Sequence, residues 1–179
     1  MDTCFTINVP DRLSMDSADE LYRASFSNLQ GISWIVFDFA KVTFVTPLSI
    51  ILVVTASSFW CNRFNHSVEW KNIDSKVLSY MDRMNISELD FIEIKRPFLF
   101  KRRNYQKSDV LVELSVIKNI QQASSAIRKT KNILDYWLPG SHKTCKLNLA
   151  THIKETVENS IEHSRVDLCS GCCYYLLQK

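Results

Sequence analysis

The sequence predicts an α/β protein built from two modules. Short apolar or alternating runs of strand length recur between longer stretches whose apolar residues fall at helical spacing. A segment rich in basic and polar residues and containing Pro97 interrupts this alternation between Lys95 and Lys107. The expected organisation is therefore one domain over 1–94, a linker over 95–107 and a second domain over 108–179. A chain of 179 residues is long enough for two small domains. Its 46% hydrophobic and 23% charged content excludes disorder as a description of the whole chain.

Each element has a local reason. Phe5 to Val9 alternates apolar and polar, a strand ended by Pro10. Ser17 to Leu29 is amphipathic, with Asp16 or Ser17 placed to cap a helix. Trp34 to Phe39 is largely apolar, as a strand buried on both faces is. Pro47 suits the first turn of a buried helix running through Ile50, Val54, Phe59 and Trp60. Thr46 and Ser49 are then a cap and a first-turn residue. Ser67 to Lys71 alternates as a strand, Lys76 to Met84 reads as a short helix, and Phe91 to Ile94 as an extended piece. In the second half, Asp109 to Val116 alternates strongly, Ile120 to Leu138 is helical, and Pro139-Gly140 ends it. Leu147, Leu149, Ile153, Val157 and Ile161 give the next helix an apolar face, and Cys172 to Leu177 reads as a buried strand.

Several function classes are excluded or weakened. A net charge of +3, with one short basic cluster at Lys101, Arg102, Arg103 and Lys107, argues against a nucleic-acid footprint. The run from Pro47 to Trp60 is shorter than the roughly 20 apolar residues a membrane span needs, and Met1 to Cys4 does not open a signal peptide. A cytoplasmic protein with reduced cysteines and no membrane partner is expected. Cys169, Cys172 and Cys173 have knuckle spacing, but a structural zinc site wants four ligands, so core packing is the favoured role. Ser, Asp and the four histidines His66, His142, His152 and His163 are present without a Gly-x-Ser-x-Gly elbow, so a hydrolase triad has little support.

The most informative stretch is Glu155 to Ser164. Glu155, Asn159 and His163 stand at i, i+4 and i+8, one stripe on a helix. A carboxylate able to take a proton, one turn from an amide oxygen able to ligate a hard cation, suits Mg-nucleotide chemistry. The run resembles the N-box of the GHKL ATPases, with its Glu-x-x-x-Asn pattern followed by a small residue. The resemblance implies Asn159 as the metal ligand, Glu155 as the catalytic base, and Asn159 and His163 as the cofactor-binding residues. ATP and Mg²⁺ are the cofactors of a complete relative. Downstream of the N-box that family places two Gly-rich segments, yet these 179 residues hold only Gly31, Gly140 and Gly171. The expectation is the N-terminal part of a GHKL sandwich, truncated after the N-box, with weak or no ATP binding.

Asp38-Phe39-Ala40 and Val42-Thr43-Phe44-Val45, set between a strand and a helix, resemble the STAS domain of anti-sigma-factor antagonists over residues 5 to 90. The resemblance implies a mixed sheet with helices. It departs at the phosphorylatable Asp-Ser pair, which here is Thr46 and Pro47, so the usual phospho-switch is absent and a fixed interaction surface is inferred. Together the two resemblances imply a bacterial regulatory ATP-binding protein with a regulatory protein partner. The alternative is a non-enzymatic interaction module that uses the STAS-like half.

Overall fold

The chain divides into two compact units, Met1–Gln106 and Lys107–Lys179. In this computed structural model the described residues are 3–14, 17–26, 31–95, 110–117, 119–137, 143–163 and 173–178. The basic cluster around Lys101 to Arg103, together with Lys107, lies outside them.

The first unit runs β1 (Cys4–Asn8), β2 (Arg12–Leu13), α1 (Ala18–Phe26), β3 (Trp34–Asp38), β4 (Phe44–Val45), α2 (Pro47–Phe64), β5 (Val68–Lys71), α3 (Ser75–Arg83), a 3-10 turn (Ile86–Glu88) and β6 (Ile92–Ile94). Four strands form one sheet in the order β1-β3-β5-β6, and every ladder is parallel. The α/β class is as expected, but the sheet is parallel throughout where a mixed one was anticipated. The reason is in the connections: each step between neighbouring strands passes through a helix, and a helical crossover returns the chain in the same direction.

The strand order steps one way across the sheet, so right-handed crossovers place the three helices on one face. The side chains agree. Register aligns Ile7, Phe37, Trp70 and Ile94 on one face, where Ile7, Phe37 and Trp70 are buried with Ile35 and Val68. The other face aligns Thr6, Val36, Glu69 and Glu93, then Asn8, Asp38 and Lys71. β3 carries Trp34 and Val36 on that second side, and Ile35, Val36 and Phe37 are all buried, so its centre is apolar on both faces as expected; Thr6 and Glu69 flank Val36 in register.

α2 begins where local chemistry predicts. Thr46 is its N-cap in a reciprocal capping box with Ser49, Pro47 occupies the first turn, and Asn65 closes the helix in the left-handed conformation. The helix is buried along most of its length, and two indoles tie it down. Trp70 Nε1 donates to Ser57 Oγ at 2.9 Å, Ser57 Oγ donates on to Val53 O at 2.8 Å, and Trp60 Nε1 donates to Ser25 O at 2.7 Å. No helix among the described residues is long and apolar enough to cross a membrane. At α1, Ser17 holds the cap position, since its carbonyl accepts from Leu21 N at 3.1 Å; its hydroxyl instead donates to Arg12 O at 2.7 Å. Asp16 and residues 27–30 lie outside the described residues.

The second unit runs β7 (Val110–Ile117), α4 (Ile120–Trp137), α5 (Lys143–His163) and β8 (Cys173–Gln178), with β7 and β8 antiparallel. Ile117, Ala123, Ala126 and Val157 form its core cluster, and Ile153 packs against them. Val157 lies against the first half of α4, whereas Lys146 reaches Asp135 near its end, so α4 and α5 run antiparallel. One expectation fails here. Leu147 and Leu149 are 64% and 40% exposed rather than part of a buried face. At 100° per residue they fall about 80° to either side of Val157, the residue that meets the core.

Trp70 supplies the first test. Replacing it with alanine removes a fully buried indole and should cost about 3–5 kcal/mol. Trp70→Phe keeps most of the volume but loses the Ser57 bond, and should cost about 1–2 kcal/mol. Urea denaturation followed by circular dichroism measures both; a Trp70→Phe variant as stable as the parent would show that the hydrogen bond contributes nothing.

Candidate functional site

α5 brings the predicted stripe to the surface. Glu155 and Asn159 are both exposed, two residues before and two residues after buried Val157. Offsets of two residues place both groups on the side of the helix opposite the core cluster. Glu155 Oε2 lies 4.0 Å from His152 Nδ1, and Lys154 Nζ lies 3.9 Å from Glu158 Oε1. His163 is the last residue of α5, and its side chain lies outside the described residues, as do Ser164, Cys169 and Cys172. Among the described residues no group of three or more His, Cys, Asp or Glu could hold a metal.

The fit of Mg-nucleotide to this stripe can be examined from its donors. Asn159 offers one neutral oxygen and Glu155 a carboxylate one turn away. Mg²⁺ bound to a nucleotide takes one or two protein oxygens, with phosphates and waters completing its octahedron. The phosphates in turn need a backbone cradle. Gly31, at φ 73, turns the chain into β3 in the other unit, and Gly140 and Gly171 lie outside the described residues. Among the described residues this stripe thus offers two oxygen donors with no glycine loop beside them.

In the first unit, the position that resembles the STAS phospho-switch is occupied by the α2 cap. Thr46 Oγ1 and Ser49 Oγ are 2.7 Å apart, Ser49 N donates to Thr46 Oγ1 at 3.4 Å, and Thr46 N donates to Ser49 Oγ at 3.2 Å. Ser49 Oγ also donates to Leu13 O, and Thr46 N donates to the same carbonyl at 2.9 Å. Leu13 belongs to the β2–β4 pair, two residues on each strand, which sequence periodicity does not reveal. Ser49 is 1% exposed. Both hydroxyls are consumed in holding the helix start, the cap and first-turn roles expected of them.

On either side of this cap stand two large apolar residues in the open. Phe44 is 45% exposed and Leu48 is 54% exposed, and the Arg12 guanidinium lies 5.2 Å from the Phe44 ring. Phe44 is the first residue of β4. Its exposure follows from β4 being a two-residue strand outside the main sheet.

A polar cluster also escaped the sequence reading. At the carboxyl ends of β3 and β5, Asp38 accepts from Ala40 N at 2.9 Å and from Asn72 Nδ2 at 3.0 and 3.2 Å, with Lys71 Nζ at 3.5 Å. Burial alone would raise the Asp38 carboxyl, but these hydrogen bonds and the Lys71 charge outweigh it and hold the group below its ordinary value. Asn72 reaches Asp38 from a left-handed turn at φ 57, a conformation Asn tolerates well, and this was the available sequence signal. His66, by contrast, is a packing residue. Its Nε2 lies 2.7 Å from Ser33 O, its Nδ1 3.0 Å from Ser67 O, and its ring stacks on Trp34 at 4.5 Å.

No family model matches this chain, and no curated protein or solved structure matches it either.

Asp38 gives a pH prediction. A carboxyl whose folded pKa lies below its unfolded value contributes stability that is fully present above about pH 3.9 and lost as pH falls through the folded value. Asp38→Asn should therefore be less stable than the parent at pH 7, and the gap should close below about pH 4. Denaturant midpoints for both proteins across that range test it; a gap that persists undiminished at low pH would rule out the charged form as its source.

Proposed function

We propose that this chain is a regulatory protein of the STAS-plus-GHKL type that acts by binding a protein partner through its first unit. On this reading its second unit carries the N-box helix without binding Mg-ATP on its own. The observation that carries the reading is the exposure of Phe44 and Leu48 beside a rigidly capped helix start, with Arg12 over the Phe44 ring. Aromatic residues and arginine are enriched where protein partners dock, and large apolar side chains on a fixed scaffold lose little entropy on contact. Sheet topology points the same way. In open parallel sheets small ligands bind at a switch point in strand order, and the order β1-β3-β5-β6 has none.

The test is affinity capture from cell lysate on the immobilised chain, followed by titration of the recovered partner. Phe44→Ala and Leu48→Glu should each weaken the complex by about tenfold or more, the effect of removing an interface anchor. Both positions are exposed, so folding should be unchanged by circular dichroism. A partner that binds both variants as tightly as the parent would sink the assignment of this surface.

A second reading, an ATP-binding regulator, is favoured by the spacing of Glu155 and Asn159 on α5 and by the strand β8 that follows it. Isothermal titration with Mg-ATP separates the two. The proposal expects a dissociation constant weaker than about 1 mM; a micromolar value, about 8 kcal/mol, would require an enclosed site and would establish the second reading. In that event Asn159→Ala should abolish Mg-dependent binding, while Glu155→Ala should spare binding and remove turnover. Under the proposal both substitutions change stability by less than about 0.5 kcal/mol and nothing else.

A further inference from the structure

The seam between α4 and α5 opens into a groove of about 570 Å³. Its floor is apolar, made by Ile127 and Leu134 from α4 and Leu147 and Ala150 from α5. From residue 127 to residue 135 the groove follows α4 for about 12 Å, slightly more than two helical turns. Lys131, Lys146 and Lys154 stand around it with a single carboxylate, Asp135. Lys146 is held by that carboxylate, its Nζ lying 3.3 Å from Asp135 Oδ1, and Lys154 reaches Glu158 at 3.9 Å. Lys131 is exposed and has no ion-pair partner among the described residues. The rim is thus net cationic over an apolar floor.

The geometry points to a docking site for an acidic amphipathic helix of a protein partner, laid along the α4–α5 seam. Three features select this occupant. A groove between two helices accepts the ridge of a third, and two turns is the span of apolar anchors at i, i+4 and i+7. Leu147, at 64% exposure, leaves the floor open, whereas a small ligand needs most of its surface enclosed. With Lys146 and Lys154 paired, the excess is the ammonium of Lys131, which favours a carboxylate flanking those anchors and disfavours a basic helix. This surface is separate from the Phe44 and Leu48 patch and from the Glu155 and Asn159 stripe, and the inference does not rest on the function proposed above.

A fluorescein-labelled peptide of about 18 residues, held helical by lactam bridges so that ordering does not mask affinity, is the probe. It carries leucines at i, i+4 and i+7 flanked by glutamates, and a counterpart carries lysines in their place. Anisotropy titration with the full chain should show saturable binding of the acidic peptide that weakens with added salt, and none of the basic one. Lys131→Glu and Ala150→Glu should each weaken binding about tenfold or more, the first by reversing the rim and the second by placing a charge on the floor. Thermal unfolding confirms that each variant is folded, and Lys131→Glu, at an exposed position, keeps the test valid if Ala150→Glu is not. Equal binding of both peptides, affinity indifferent to Lys131→Glu, or absence of saturable binding overturns the inference. So does binding of decanoate, a single-chain anionic amphiphile, without binding of the peptide.

Discussion

An indole buried in an apolar sheet face must find an acceptor for its N–H, and Trp70 finds it in the Ser57 hydroxyl of α2. Ser57 in turn donates to the Val53 carbonyl, so the relay leaves neither group unsatisfied. This pairing determines which side of α2 meets the sheet and how far along its axis it sits. Once that is determined, Trp60 is aimed at the Ser25 carbonyl of α1, and the first two helices are held together. The same placement carries the start of α2 to the Leu13 carbonyl, where Thr46 and Ser49 lock it. Phe44 and Leu48 are left on either side of that lock. Their exposure is therefore the far end of a chain of constraints that begins with one buried N–H.

Parallel sheets are ordinarily covered on both faces, and among the described residues of the first unit the helices lie on one face of the β1-β3-β5-β6 sheet. Its second face carries Trp34 and Val36 together with Thr6, Glu69, Glu93, Asn8, Asp38 and Lys71. Charges can stand there because they are answered: Lys95 lies 3.0 Å from Glu69, and Asp38 takes Asn72, Ala40 N and Lys71. Its strands are added in one direction, so the sheet has no crevice between diverging connections.

How much of this was legible depended on how local the physics is. The α2 start was readable, because a cap at Thr46 followed by Pro47 is a matter of four adjacent residues. The strands β1 and β5 were readable from alternation, β3 from its apolar run, and α3 as a short helix. Two features were not. β2 and β4 are two residues each, below any period that could announce them. The pairing of Trp70 with Ser57 joins a strand to a helix, and nothing in either segment names the other.

Helical spacing has a related blind spot in the second unit. The i, i+4 separation of Glu155 and Asn159 says that they share a side of α5, but not which way that side points. The deciding residue is Val157, midway between them, because it is the one that packs on Ile117, Ala123 and Ala126. With Val157 inward, the carboxylate and amide point away from the helix hairpin that would otherwise enclose a ligand. The same helical phase has a second consequence. Ala150, Leu147 and Lys154 fall within about 80° of Val157, and so they lie along the α4 seam instead of opposite it. One rotation of α5 thus turns Glu155 and Asn159 away from the core and makes an apolar strip with basic borders the wall of a groove. In this unit the patterned residues and the groove lie on different sides of the same helix.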